Sequence, residues 1–249
     1  MKKLHWLFMA ICLAVMPALQ SCDDFDDGYS VGDFTPPLWA TVRVTGGAFY
    51  LDCDTWGTLW PVNTDFGWYE PADGQRVITT FNPLYDDFQG YDHAVKILRM
   101  QDVLTKGIEI MTPETEEEFG NDPILIYKGD MGISGGYMNI IFAQNLPAKT
   151  KHRISLVRTQ EGEEASAGDG YIHLQLRYNT YDDVTGYRAY GAVSYNLNSL
   201  GLELNTNVKG IKLKLNSEVN GEVELTFDFE GSNNNSDKAT QDFSKMQLQ

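Results

Sequence analysis

The amino-acid sequence predicts an all-β protein in which a small β-barrel is followed by an antiparallel β-sandwich, both behind a signal peptide. Short segments in which apolar and polar residues alternate, as in half-buried strands, recur from residue 38 to residue 230. Turn residues separate these segments. An N-terminus with basic residues followed by an apolar run precedes them. The predicted divisions are a signal peptide (1–21), an acidic tether (22–37), a barrel (38–112), a sandwich (113–230) and a polar tail (231–249).

The N-terminus has the layout of a secretory signal. Lys2 and Lys3 precede an apolar stretch, 4–19, which is shorter than the roughly 20 residues of a membrane-spanning helix. Leu19, Gln20 and Ser21 lead into Cys22, and this spacing resembles the bacterial lipoprotein box, although Gln20 departs from the small or aliphatic residue usual there. We therefore expect Cys22 to be acylated and to anchor the chain. The alternative is an ordinary cleavage site with an incidental cysteine.

Four aspartates follow the cysteine directly: Asp23, Asp24, Asp26 and Asp27. This run resembles the acidic export signal of surface lipoproteins of the Bacteroidota type. It also suits a tether that only needs to stay solvated. We expect a lipid-anchored protein of the outer membrane, displayed on the cell surface rather than facing the periplasm.

The first domain is predicted from closely spaced strands. They cover residues 40–45, 49–54, 58–60, 76–84 and 93–103, with a last short strand at 108–111. Gly46 and Gly47 can supply the positive φ angles of a tight hairpin. The alternation slips near Leu98, which indicates a bulge. So many strands in so short a chain predict a small, partly closed barrel.

The second domain begins after Thr112, where a proline and several acids predict one or two helical turns. The strands predicted beyond it are 124–128, 137–143, 152–159, 171–179, 187–196, 208–215 and 222–229. Their number and spacing predict an antiparallel sandwich.

The net charge limits the classes of partner that we expect, and the cysteine content limits the chemistry. The full chain has a formal charge of −16, and loss of Lys2 and Lys3 with the signal makes it −18. Such a charge repels nucleic acid and anionic lipid headgroups but suits cationic peptides or divalent ions, and it also favours solubility. With Cys12 removed and Cys22 acylated, only Cys53 remains, on an apolar strand face where we expect a buried small side chain rather than a nucleophile.

The sequence contains no convincing catalytic or metal-binding pattern. Residues 132–136 fit the Gly-x-Ser-x-Gly pattern of a nucleophile elbow around Ser134, but a strand rather than a helix is predicted to follow. His93 beside Asp92 is the most notable histidine. The acidic groups at 86–92 and 182–183 lack the spacing of a known calcium loop. We therefore predict no catalytic residue, no metal and no cofactor.

Aromatic residues of the first domain give the best indication of a binding surface. The candidates are Trp56, Trp60, Trp68 and Tyr69. They suit a platform for sugars or an anchor for a peptide, and the alternative is that they fill the barrel core. Trp56 flanks Gly57 at a hairpin tip, where we expect it to be exposed.

The order of several short motifs resembles one family, the NigD-like lipoproteins. The motifs lie at 46–47, 58–61, 73–77, 90–93, 103–106, 120–124 and 135–139, after the lipoprotein box and its aspartates. The resemblance implies an N-terminal OB domain, a C-terminal β-sandwich and a role in bacteriocin immunity, and it supplies no catalytic residues to carry over. It leaves two functions open, a surface-anchored protein that binds a peptide or bacteriocin and a glycan-binding accessory lipoprotein. The sequence leaves the oligomeric state open.

Overall fold

A computed structural model describes residues 29–229, apart from 31, 64–66, 68 and 201–207. The signal peptide, Cys22 with its aspartates, Trp68 and the polar tail lie outside these residues. The described chain confirms the predicted class, a β-barrel followed by a β-sandwich. Within it, every helix is too short or too polar to cross a membrane.

The barrel consists of five strands: β1 (Leu38–Thr45), β2 (Ala48–Cys53), β3 (Gly57–Pro61), β4 (Arg76–Phe88) and β5 (Tyr91–Asp102). It is closed rather than partly open, in the order β1-β2-β3-β5-β4, with β3 and β5 parallel. Alternate side chains from these strands fill its centre, among them Val42, Leu51, Leu59, Phe81 and Val95, each fully buried.

The bulge expected near Leu98 is confirmed. Thr80 pairs with Arg99 and Phe81 pairs with Ile97, so Leu98 has no partner on β4. The extra residue lets Ile97 point into the core while Leu98 remains 47% exposed.

Nine further strands form the sandwich. They are β6 (Leu104–Lys106), β7 (Glu109–Ile110), β8 (Met131–Ser134), β9 (Tyr137–Asn145), β10 (Arg153–Arg158), β11 (Tyr171–Asn179), β12 (Arg188–Asn196), β13 (Gly210–Ser217) and β14 (Gly221–Asp228). One sheet has the order β14-β13-β11-β10-β7 and the other β6-β12-β9-β8. Their facing surfaces enclose a core that includes Met138, Ile140, Leu156, Leu174 and Leu213.

Two expectations about the sandwich are wrong. It is not purely antiparallel, because β11 pairs with β13, β10 with β7 and β12 with β6 in parallel. The short strand predicted at 108–111 does not belong to the first domain either, since β6 and β7 join the two sandwich sheets. The division expected at 112/113 therefore falls nearer residue 103. Strands of two and three residues carry too little sequence pattern to predict which sheet they join.

Within the described ranges, two α-helices accompany the strands. The first, α1 (Glu116–Phe119), is the short helix expected after Thr112. The second, α2 (Gln160–Asp169), was not predicted, because its sequence carries no apolar stripe. Thr159 Oγ1 accepts a hydrogen bond from the Gly162 amide at its start, and Gly170 ends it in the left-handed conformation.

The segment before β1 is packed against the barrel, which shortens the acidic tether predicted at 22–37. Tyr29 Oη donates a hydrogen bond to Asp86 Oδ1 at 3.0 Å, and Asn82 Nδ2 donates to the Ser30 carbonyl at 2.9 Å. The Thr35 amide donates to the Phe81 carbonyl at 2.9 Å, and Thr35 is only 6% exposed. Among the described residues, the chain is therefore held to the barrel from Tyr29 onward.

A buried ion pair lies where the barrel meets the sandwich. Arg76 Nη1 and Nη2 donate to the two oxygens of Asp54 at 2.7 and 2.6 Å, with the side chains 0% and 3% exposed. From the sandwich, Ser134 Oγ donates to Asp54 Oδ2 at 2.5 Å, and Asn139 Oδ1 accepts from Arg76 at 3.2 Å. We call Asp54, Arg76, Ser134 and Asn139 the interdomain clasp.

Apolar contacts run alongside the clasp. Trp39 and Ile78 of the barrel form one buried cluster with Val103 and with Ile141 of the sandwich. The Arg76 guanidinium also lies 4.6 Å from the centre of the Tyr137 ring. The two domains therefore share a continuous interface that is polar at the clasp and apolar beside it.

Candidate functional site

Three aromatic rings form a continuous strip on the barrel. Tyr50 of β2 lies 5.2 Å from Tyr91 of β5, and Tyr91 lies 4.8 Å from Trp60 of β3, measured between ring centres. All three residues are half-buried, so each keeps part of its surface accessible to solvent. We call Tyr50, Trp60 and Tyr91 the aromatic row.

Strand register explains why two of these rings point outward. Leu51 and Leu59 are paired directly across β2 and β3, and both are fully buried in the barrel. Because successive side chains alternate between faces, Tyr50 and Trp60 project from the outer surface. The outer face of strands 2 and 3 is where OB barrels commonly bind extended ligands.

Carboxylates border the aromatic row. Asp92, next to Tyr91, accepts hydrogen bonds from the amide and hydroxyl of Thr58, each at 2.7 Å, and these bonds lower the pKa of its carboxyl group. Asp52, two residues along β2 from Tyr50, lies 3.7 Å from Arg43 and is about half-exposed. Arg43, the partner of Tyr50 across β1 and β2, offsets the charge of Asp52, so Asp92 supplies the excess negative charge beside the rings. The outer face therefore suits a ligand carrying both apolar groups and a cation.

The expectation that Trp56 is exposed is wrong. Trp56 is half-buried at the end of the barrel, with its ring edge-on to the buried Phe81 at 5.4 Å and 5.0 Å from His93. Tyr29, from the segment before β1, approaches its ring to 6.1 Å. The large side chain packs against the hydrophobic core of the barrel. Trp56 therefore packs against the barrel and does not stand free on its surface.

The three candidate aromatics that the structure describes, Trp56, Trp60 and Tyr69, lie in separate places. Tyr69 packs against Phe49, 5.6 Å between ring centres, and its hydroxyl donates to Asp102 Oδ1 at 3.3 Å. Burial, followed by the negative charge of Asp102, raises the pKa of Tyr69. Trp56, Trp60 and Tyr69 thus lie in three different settings, of which only that of Trp60 belongs to the row.

Sequence reasoning missed two members of the row, Tyr50 and Tyr91. Tyr50 alternates with Phe49 and Leu51 and shares its face with Asp52. An aromatic residue on an otherwise acidic strand face is a usable signal. Tyr91 reaches the row from a distant part of the sequence, and no local sequence pattern predicts its contacts with Tyr50 and Trp60.

The residues considered for chemistry have structural partners. Ser134 ends β8, and the turn after it leads into β9, as expected for a turn between strands. Its hydroxyl belongs to the interdomain clasp. Cys53 is 3% exposed, as predicted, and burial raises the pKa of its thiol. His93 Nδ1 lies 2.6 Å from Asp86 Oδ1, whereas the neighbouring Asp92 bonds Thr58 instead.

The acidic group at 182–183 also has a structural role. The Asp183 carboxylate accepts hydrogen bonds from the Ala148 and Lys149 amides at 3.2 and 2.8 Å, and from the Thr150 amide. In the part of the chain that the structure describes, no three His, Cys, Asp or Glu side chains are grouped closely enough to hold a metal ion.

The fold defines a class of two-domain β proteins, in which an OB barrel is joined to a β-sandwich. The sequence matches the NigD-like N-terminal OB domain over residues 39–103 and the NigD-like C-terminal β-sandwich domain over residues 107–229. The chain belongs to the NigD-like family.

Solved structures agree with this assignment. A Bacteroides vulgatus protein of unknown function is 26% identical with a TM-score of 0.72, over 86% of this chain and 100% of that one. A Parabacteroides distasonis protein whose name relates it to a toxin is 29% identical with a TM-score of 0.66, over 80% of this chain and 94% of that one. A NigD-like immunity protein from Bacteroides caccae shares the fold at 17% identity and a TM-score of 0.59, over 81% and 98%.

No curated protein matches the sequence. Neither the family nor these three structures indicate an enzyme family.

Proposed function

We propose that this protein is a non-catalytic binding lipoprotein that acts in immunity by capturing a secreted peptide toxin, such as a bacteriocin, at the cell surface. The observation that carries the proposal is the aromatic row on the outer face of the barrel. Its three rings lie in contact on neighbouring strands, and together they offer an apolar strip without any rearrangement of the fold.

Charge favours a cationic peptide as the ligand. The chain without its signal carries −18, and Asp52 and Asp92 stand beside the row. Opposite charge raises the rate at which a ligand meets the surface. The names of two relatives support a toxin as the ligand, since one is called an immunity protein and the other a toxin-related protein.

The proposal places the protein on the outer membrane. Acylation of Cys22 supplies the anchor, since several acyl chains on one residue give stable attachment. Asp23, Asp24, Asp26 and Asp27 act as the export signal that takes it to the outer face. The immunity role requires this placement, because a secreted toxin is met outside the cell.

A glycan is the second candidate ligand. Aromatic rings on an OB barrel can stack on sugar faces, so the same row would suit a glycan-binding accessory lipoprotein of a polysaccharide-utilisation system. The row favours both ligand classes, whereas the bordering carboxylates favour the peptide.

A deletion strain tests the immunity role. Loss of the gene should make cells sensitive to toxins secreted by neighbouring strains, and the wild-type gene should restore protection. Trp60→Ala should not restore it, because the largest ring of the row is lost. Tyr127→Ala, at a half-exposed tyrosine in the sandwich domain, is the matched control and should protect fully.

The same strain tests placement and separates the two ligands. Cys22→Ala should release the protein from the membrane, and changing the four aspartates to Ala should hide it from protease added to whole cells. Unaltered toxin sensitivity, combined with a growth defect on a polysaccharide that Trp60→Ala reproduces, would replace immunity with glycan binding. Full protection by Trp60→Ala would remove the row from the binding surface.

A further inference from the structure

A second surface with the features of a binding site lies at one end of the sandwich, away from the aromatic row. The ends of strands β9, β11 and β12 enclose a cleft of about 270 Å³. The loop from Thr180 to Arg188 forms one wall, and Asp122 and Glu218 contribute from two other turns. None of these residues belongs to the barrel.

The loop beside the cleft is rich in exposed tyrosine. Tyr187 is 78% exposed and Tyr181 is 46% exposed, and each is adjacent in sequence to a residue that lines the cleft. Val184, itself part of the lining, is 50% exposed. We call residues 180–188 the tyrosine loop. Tyrosine combines a large apolar ring with a polar hydroxyl and loses little conformational entropy, so it is prominent in surfaces that bind proteins.

The tyrosine loop is held in one conformation. Tyr181 and Asp182 both have positive φ angles, 54° and 56°, which L-residues seldom adopt. Asp122 Oδ2 accepts a hydrogen bond from the Thr180 amide at 2.7 Å, and Asp183 accepts several from the 148–150 backbone. A surface fixed in advance loses less entropy when a ligand binds.

The charge of the cleft indicates which ligand it fits. Asp122 and Glu218 supply two carboxylates, and Arg188 supplies one guanidinium, which donates to Glu218 at 2.8 and 3.0 Å. The lining therefore carries an excess negative charge. Burial raises the pKa of Tyr178 to about 12, so its hydroxyl stays neutral at physiological pH.

We infer that the tyrosine loop and its cleft form a second docking surface, which takes a polypeptide segment carrying lysine or arginine. The exposed rings cover apolar side chains of the segment, and the excess carboxylate in the cleft receives its cation. A neutral glycan would bring no cation to offset the excess negative charge of the lining. This surface is separate from the aromatic row, and the inference does not depend on the immunity role.

Selection from a phage-displayed library of random linear peptides, against residues 23–249, tests the inference. Enriched peptides should contain lysine or arginine, and replacing that residue with glutamine should weaken binding about tenfold. Tyr187→Ser should cause a similar loss, and Val184→Asp is a second variant at the same wall. Tyr85→Ser, at a 64% exposed tyrosine of the barrel, is the control and should bind within about twofold of wild type.

Other outcomes overturn the inference. These are the absence of enrichment, enrichment of peptides without basic residues, and peptide binding that Trp60→Ala abolishes while Tyr187→Ser does not. Binding to a glycan array that Tyr187→Ser abolishes would assign the surface to sugars instead. Unchanged melting temperatures of the variants establish that each loss reflects the surface rather than the fold.

Discussion

Replacing Arg76 with Met should destabilise the protein by about 3–5 kcal/mol, because it leaves a buried carboxylate without its cation. The substitution keeps a side chain of similar length but removes both bonds to Asp54 and those to Thr41 and Asn139. Asp54, 3% exposed, would keep only the hydroxyl of Ser134 as a donor among these clasp contacts. A loss of this size is a large part of the roughly 5–15 kcal/mol that stabilises a typical domain.

Urea unfolding, followed by circular dichroism and by tryptophan fluorescence, measures the effect. Arg43→Met breaks the exposed Arg43–Asp52 pair, with side chains 38% and 49% exposed, and should cost less than about 1 kcal/mol. The double variant Arg76→Met/Asp54→Leu should regain much of the lost stability, since no unpaired charge remains. A loss below about 1 kcal/mol for Arg76→Met, equal to that of Arg43→Met, would refute the reasoning.

Three further changes test other parts of the structure. Trp56→Ala should cost about 3 kcal/mol in unfolding free energy because it opens the barrel end, whereas Trp60→Ala, on the outer face, should cost less than about 1. Gly135→Ala should be more destabilising than Gly46→Ala, because the two have similar φ angles, 57° and 56°, but only the Gly135 Cβ would meet a clasp carboxylate oxygen, at 2.3 Å. Glu109→Gln should destabilise the protein near neutral pH, with a difference from wild type that shrinks as the pH falls from about 4.5 to about 2.

The pH window follows from the sign of the pKa shift. Burial alone would raise the pKa of Glu109, but hydrogen bonds from Ser155, Lys106 and Arg153 lower it from 4.5 to about 2. A carboxyl group whose pKa is depressed on folding contributes stability above its unfolded value and loses it on protonation. A difference between wild type and Glu109→Gln that stays constant across this range would show that the shift is absent. Equal destabilisation by Trp56→Ala and Trp60→Ala, or by the two glycine variants, would contradict those predictions.

Local sequence patterns predicted the fold class well where strands are long and half-buried. The strand predicted at 171–179 is observed with the same bounds, and the bulge falls at Leu98. Local patterns failed where a strand is very short or where its pairing depends on distant parts of the chain. β6 and β7 are too short for periodicity, and the parallel pairing of β11 with β13 depends on which segments meet in space.

The candidate site was only partly predictable for the same reason. Trp60 was selected from the sequence, but its neighbours in the row come from other strands. Asp54 alternates with the buried Cys53, and its partners, Arg76 and Ser134, lie 22 and 80 residues further along the chain. Contacts at such separations leave no trace in local periodicity.

The packing of Tyr29 and the following residues against the barrel limits how far the protein can stand from a membrane. If Cys22 carries the lipid, seven residue steps separate it from Tyr29, and a fully extended chain of that length reaches about 25 Å. That reach is about the radius of a small domain or a little more, so the barrel would stay within a thin layer just above the headgroups. A ligand diffusing toward the bilayer would then be intercepted within that layer rather than in free solution.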